Sequence, residues 1–551
     1  IIIQLLVGEE KVLLGLAALL VMQSSPRPLE SCFEDPEYGQ LLEIAKDGLG
    51  KAEKPKRIVI VGAGIAGLTA GKVLLDAGHQ VTILEARSHV GGRMETYRDP
   101  AGNWYVDLGP RRLPYSHRWQ WQWQYLVNNI RARVKDVEKN PDILGYPVDP
   151  SERGKSAVEL YYQALRAVSV SLRARDSCGR SCQGISRELS WLEYLIEKGN
   201  LSRAAVQMIG DLMNLSAEFS CSFIEFLREP SLLSLLSRFD ELAGGFDTLP
   251  RAFHQSLPAA TVLLNSTVVQ VLRERDVVSV LHRPSNSRAP PSTLQADYVI
   301  VTSTAEATRL IQFHPALSTA KTQALRSLHS TGATKVALAC TKKFWEEEGE
   351  EVYGGTSISD LPSRITTYSN QNFSNGLGVI IGSQTYGEDS EFFAPLSPQR
   401  TVEVVLRDLA AIHQRPLEEL RQLCSQWVVK KWNLDPHAMG AFTLFRPYQL
   451  SEHAAALAGS EGRVYFAGEY TALPHGWVDT AMKSALRAAR EVHRHCSHNT
   501  GDHISDTGSC REWAERVPLT CTGLWCWSHD LAKLSPTVSW PRLSNVPISP
   551  S

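Results

Sequence analysis

Residues 56–93 read KRIVIVGAGIAGLTAGKVLLDAGHQVTILEARSHVGGR. The run Arg57–Val61 is β-branched and apolar, the pattern of a strand buried on both faces of a parallel sheet. Gly62, Gly64 and Gly67 come next in G-x-G-x-x-G spacing and open a stretch rich in Ala and Leu, which reads as a helix. Gln80–Leu84 forms a second strand, with Glu85 at its end, 18 residues after Gly67. The glycines let the main chain approach a pyrophosphate. Ile65 and Ala66 carry the first N–H groups of the helix, whose positive end faces that anion, and the acid after the second strand accepts a ribose hydroxyl. A glycine-rich turn between two packed elements would explain the glycines but not Glu85 at that distance. The stretch reads as a dinucleotide site.

The residues after Glu85 narrow the nucleotide. Ala86-Arg87 and then Gly91-Gly92-Arg93 resemble the flavin amine oxidases. That resemblance implies that Ala86, Gly92 and Arg93 continue the diphosphate cradle and that the nucleotide is FAD.

The chain of 551 residues is 43% hydrophobic and 21% charged, with a formal charge of -2. That length suffices for a large core and suggests two to four domains. Near-neutral charge gives no electrostatic footing for nucleic acid. Residues 12–22 (VLLGLAALLVM) are too few to span a bilayer but suit the core of a signal peptide. A buried helix is the alternative. Asn-x-Ser/Thr occurs at Asn200, Asn214, Asn265 and Asn372, and the ten cysteines form no C-x-x-C pair of a zinc site. These features favour disulfides and an oxidising compartment, secreted or lysosomal, with no metal. No other stretch is long and apolar enough for a membrane span.

Thr96-Tyr97 and Trp104-Tyr105-Val106 read as a hairpin turning at Asp99-Pro100-Ala101-Gly102. It leads into Gly109-Pro110-Arg111-Arg112-Leu113-Pro114, which resembles the GPxRLP loop of the animal L-amino-acid oxidases of venoms and immune cells. From about Pro28 to about Val492 the match is almost continuous. It implies an α/β fold: a Rossmann-like FAD domain of glutathione-reductase type, a mixed-sheet substrate domain and an inserted helical domain. The FAD domain takes residues 55–94, 238–320 and 455–495. The substrate domain takes 95–115 and 321–454, the helical domain 116–237. Residues 1–25 are signal-like, 26–54 a leader packing on the substrate domain, and 496–551 an aperiodic tail outside the match, expected to be disordered. Residues 116–125 (SHRWQWQWQY) break the resemblance, replacing a longer segment. Trp119, Trp121 and Trp123 alternate, so a strand would place them on one face.

The remaining assignments come from the resemblance. Arg112 is the carboxylate-binding guanidinium, suited to a planar anion through two parallel N–H bonds. Tyr368 is a second carboxylate donor. Gly476 offers its carbonyl to the amine, Trp477 walls the pocket, and Phe442 lines the side-chain end. Lys335 matches the lysine near flavin N5 that assists reoxidation by oxygen. The venom enzymes carry a histidine in the helical domain where this chain has Glu229, a solvated loop residue or a substitute base. Gly109, Pro110, Arg111, Arg112, Val268, Glu469, Gly476, Trp477 and Val478 through Ala481 (with Asp479 and Thr480 between) would contact FAD. Cys340 and Cys424 match a family disulfide. Cys32 pairs with Cys178 or Cys182, and Cys221 is left as a buried thiol.

Together these features point to FAD-dependent oxidation of apolar or aromatic L-amino acids by oxygen, giving a 2-oxo acid, ammonia and hydrogen peroxide. FAD is held non-covalently, since no cysteine occupies residues 472–475, and a homodimer is compatible with the family. A monoamine or polyamine oxidase on the same scaffold is the first alternative; such enzymes bind no carboxylate and need no counterpart of Arg112. A catalytically impaired flavoprotein is the second, suggested by the break at 116–125 and the foreign tail.

Overall fold

The run RIVIV forms strand β1 (Arg57–Val61), and its alternate residues serve two cores. Ile58 and Ile60 face one hydrophobic cluster, Val59 and Val61 another. In this computed structural model, residues 35, 37–111, 113–114, 122–173, 189–228, 239–347, 354–369, 371–497 and 548–550 are described. β1 lies in a five-stranded sheet with β2 (Gln80–Leu84), β3 (Val262–Leu263), β4 (Tyr298–Val301) and β5 (Val464–Phe466), in the order β5-β4-β1-β2-β3. Every pairing in it is parallel.

Helices α1 (Ile65–Asp76) and α2 (Val478–Ser497) cover the Ile58 face, packing Leu68, Leu74, Met482 and Leu486 against it. A four-stranded sheet supplies Val271 and Val280 to the other face. Helices, parallel sheet and second sheet thus make three layers, with β1, β2, β4 and β5 ending on one edge. Ligands bind at the carboxyl ends of such strands.

A seven-stranded mixed sheet forms a second body, in the spatial order 426–431, 333–340, 378–386, 365–368, 356–359, 122–127, 130–133. Helix Pro398–His413 packs Val405 and Leu409 against its Val336, Leu338 and Ile380, and the Cys340–Cys424 disulfide closes that side. Ala337, Ala339, Val379 and Ile381 meet Trp104, Val106 and Leu108 on the opposite face. A third body is helical (Ala157–Arg173, Trp191–Glu197, Arg203–Leu212), with a core of stacked rings from Trp191, Tyr194 and Phe223. Cys221 is a buried free thiol there.

The expected hairpin forms, Thr96–Arg98 pairing antiparallel with Tyr105–Asp107. Two segments sit elsewhere than the sequence suggested. Helix Tyr38–Asp47, expected on the substrate domain, packs Leu41 and Ala45 into the core beneath α2. Its approach carries two ion pairs, Asp35–Lys483 at 2.8 Å and Glu37–Arg490 at 2.6 Å. Residues 122–133, placed in the helical domain, form a hairpin on the seven-stranded sheet, Gln122–Val127 running parallel to Thr356–Ser359. Trp123 donates its indole N–H to Gly354 O at 2.8 Å. Trp119, Trp121, Cys32, Cys178, Cys182 and residues 12–22 lie outside the described residues, as do residues 498–547 of the tail, while Ile548–Pro550, expected in a disordered segment, forms a strand antiparallel to Asp240–Leu242. Among the described residues no helix is long and apolar enough to cross a membrane, and no cluster of His, Cys, Asp and Glu could hold a metal ion.

Candidate active site

Gly62 leaves β1 with φ +104°, a conformation that side chains resist. A Cβ on Gly67 would lie 2.0 Å from Gly62 O, so only glycine lets α1 pack this close to the turn. Gly64 caps α1, and a Cβ there would meet nothing within 4 Å. The first-turn N–H groups of Ile65 and Ala66 are therefore open on this side, the kind of helix end that suits an anion. Gly91 donates to Ala63 O at 2.9 Å, bringing the second glycine pair against the first. Glu85, 7% exposed, accepts from Ala63 N at 2.7 Å and Arg87 N at 2.8 Å, one bond to each oxygen. Each oxygen retains a lone pair for a ribose hydroxyl. Ala86 O accepts from the Ser285 hydroxyl, and Ser266, two residues before Val268, donates its N–H to Glu85 O. The residues of this cradle fit a dinucleotide.

The cradle is tied to the end of the chain through Glu469, which is 4% exposed. Its Oε2 accepts from Arg93 at 3.1 Å, and its Oε1 from Thr443 N at 2.7 Å and Gly476 N at 3.0 Å. Gly476 adopts φ +80°, and a Cβ there would sit 3.5 Å from the Phe442 ring. Phe442 in turn packs edge-on against Tyr386. Trp477 O accepts from Ala481 N at 3.2 Å, so α2 starts at this point, with Val478, Asp479 and Thr480 in its first turn. The positive end of a 20-residue helix is therefore beside Gly476.

The GPxRLP turn reaches the same place from the other body. Gly109 packs so tightly that a Cβ would lie 1.9 Å from Arg93 O. Lys335, on the strand Ala333–Cys340 and 6% exposed, donates its ammonium to Gly109 O at 2.7 Å and Asp107 O at 3.0 Å. The Asp107 carboxylate accepts from Thr96 and from Phe246 N at 2.8 Å. Burial raises its pKa to about 6 against those hydrogen bonds and the Lys335 charge. After Pro110, Arg111 turns to Glu241 (3.2 Å) and the Thr367 hydroxyl (3.1 Å), and Gln371 holds the other Glu241 oxygen at 3.2 Å. Arg111 is thus a paired structural cation. Arg112 and Glu229 lie outside the described residues.

Tyr368 stands apart from this constellation. It is 2% exposed in the core of the seven-stranded sheet, with its hydroxyl 2.6 Å from Ser357 Oγ and 3.0 Å from His413 Nε2. Strand alternation explains the placement: Thr367, one residue earlier, is the position that faces Arg111. The structure also reveals a pair to which no sequence signal pointed. His475 Nδ1 lies 2.6 Å from Glu225 Oε1, both side chains almost wholly buried and 250 positions apart.

Comparisons with known proteins show the family. The family model described as flavin containing amine oxidoreductase matches residues 65–493. The chain is 46% identical over 487 residues to the L-amino-acid oxidase of Bungarus fasciatus, covering 85% of this chain and 92% of that one. It is 44% identical over 500 residues to the L-amino-acid oxidase of Bothrops atrox, covering 88% and 97%. Among solved structures, cyclohexylamine oxidase from Brevibacterium oxydans IH-35A superposes with a TM-score of 0.63 at 18% identity, covering 81% of this chain and all of that one. A putrescine oxidase A394C variant gives 0.59 at 18% identity, covering 81% and 99%. At that identity the two structures speak for the fold alone.

Proposed function

The chain belongs to the flavin-containing amine oxidoreductases, and on that premise we propose that it oxidatively deaminates L-amino acids, apolar or aromatic ones favoured. The products are a 2-oxo acid, ammonia and hydrogen peroxide. FAD, when bound, supplies the hydride acceptor and its reoxidation by oxygen. The chain's own residues bind, orient and polarise.

The observation that carries the reading is the meeting of Lys335 with the Gly109 turn, at 2.7 Å. A buried ammonium and the loop bearing Arg112 converge next to Arg93, where the cradle ends. Arg112 binds the substrate carboxylate through two parallel N–H bonds. Arg111, already engaged by Glu241 and Thr367, leaves that task to its neighbour. The Gly476 carbonyl accepts from the neutral amine, while Trp477 and Phe442 wall the side-chain end. Lys335 places positive charge where oxygen acquires electrons. With no cysteine at residues 472–475, FAD is held non-covalently.

Secretion is part of the same reading. The Cys340–Cys424 disulfide suits an oxidising compartment, and Asn200, Asn265 and Asn372 are exposed for glycosylation.

The test is Arg112→Ala assayed on an L-amino acid and on a simple primary amine. Loss of roughly 100-fold or more in kcat/KM for the amino acid alone is expected. Unchanged turnover of both substrates would favour an amine oxidase, which has no carboxylate to grip, and an equal loss on both would give Arg112 a structural role instead.

A further inference from the structure

Glu225 belongs to the helical body. It sits on the short helix Phe223–Arg228, anchored by the stacking of Phe223 on Trp191 at 5.2 Å. His475 belongs to the dinucleotide-binding body, one residue before Gly476. Besides the 2.6 Å contact with Glu225, the imidazole packs edge-on against Phe445 at 4.4 Å. Phe445 is fixed in turn, its carbonyl accepting from Ser222 N at 2.7 Å. In the tautomer with the proton on Nδ1, the imidazole donates to Glu225 Oε1. The Gly476 N–H is held independently by Glu469 at 3.0 Å.

Residues 475–477 are therefore gripped twice: by the His475 side chain from the helical body and by the Gly476 main chain from the cradle. With both held, the direction of the Gly476 carbonyl and the pose of Trp477 are set. We propose that Glu225, acting through His475, is a positioning residue that aims the Gly476 carbonyl at the amine of the substrate, so that the helical body sets the geometry in which an α-amino acid is bound. The inference rests on the functional reading above. It assigns no proton transfer to His475 or Glu225, which are buried away from solvent at 1% and 3% side-chain exposure. Their contribution is orientation, and orientation errors of the order of an ångström are costly in a site of this kind.

The experiment uses the full-length holoenzyme and three variants, each with flavin content, flavin absorbance and Tm recorded beside steady-state kinetics on an L-amino acid. Glu225→Ala removes the acceptor; roughly a tenfold rise in KM is expected, with flavin content and spectrum as in the parent chain. Glu225→Asp keeps the charge but withdraws it by one methylene, and a rise of several-fold is expected. It serves alone should the alanine variant not fold. Glu225→Gln keeps an oxygen acceptor for Nδ1–H and recovers most of the loss. A parental KM in the alanine and aspartate variants, with Tm alone lowered, would overturn the proposal by showing a purely structural pair. A parent chain that no L-amino acid reduces would overturn the underlying functional reading instead, and is read before any variant.

Discussion

Lys335 Nζ lies 2.7 Å from Gly109 O and 3.0 Å from Asp107 O, so one buried cation from the seven-stranded sheet fixes the turn that precedes Arg112. The ammonium is held by these two main-chain carbonyls and its charge also acts on the Asp107 carboxylate, so positive charge is fixed beside the turn.

Lys335→Met should therefore separate the two half-reactions. Reoxidation by oxygen, followed in stopped flow after anaerobic reduction, is expected to slow by about 100-fold. The reductive step should fall far less. A defect confined to reduction would remove Lys335 from oxygen chemistry.

Glu469 accepts three hydrogen bonds from Arg93, Thr443 and Gly476 at 4% exposure. Glu469→Ala removes the carboxylate partner of the partly exposed Arg93 guanidinium and strands two main-chain donors, so a loss of about 2–4 kcal/mol is expected. Denaturant unfolding would show it, together with weaker flavin retention on gel filtration. Glu469→Gln, which keeps one acceptor, should lie between the two.

Asp107 gives a pH signature. Burial raises its folded pKa to about 6, above the value of about 3.9 expected in the unfolded chain. The protonated form is thus favoured by folding. The associated stability is full below about pH 4 and is lost as pH rises through about 6, by roughly 3 kcal/mol. Unfolding free energies of parent and Asp107→Asn, measured from pH 4 to pH 7, should diverge in the variant's favour as pH rises. A constant gap across that range would contradict the assignment.

Asn200, Asn265 and Asn372 are exposed and Asn214 is half-buried. Expressed through a secretory pathway, the chain should lose mass on treatment with an N-glycosidase, and Asn→Gln changes at the three exposed sites should remove most of that shift. An unchanged mass would count against secretion.

The legible part of the sequence was local. The β1–α1–β2 unit announces itself within 38 residues because period, glycine spacing and Glu85 all lie close together. The hairpin at 96–107 has its turn residues in place. Pairings across the chain were not legible. Gln122–Val127 joins the seven-stranded sheet beside Thr356–Ser359, more than 200 positions away, and nothing in either segment names the other. The leader helix docks beneath α2 through Leu41 and Ala45, two small apolar contacts that any core could take. At 367–368 the identities were plain but the register was not. A one-residue choice of face buries the Tyr368 hydroxyl against Ser357 and His413, where a carboxylate donor was expected, and leaves Thr367 facing Arg111. Glu225 and His475 meet from two bodies and had no shared motif.

Anaerobic titration of the purified holoenzyme with a panel of L-amino acids, D-amino acids and simple primary amines tests the central claim most directly. Bleaching of the flavin absorbance by apolar and aromatic L-amino acids, reversed on admitting air with formation of hydrogen peroxide, is the predicted result. Bleaching by amines but not by L-amino acids would contradict it, and so would a flavin that no member of the panel reduces.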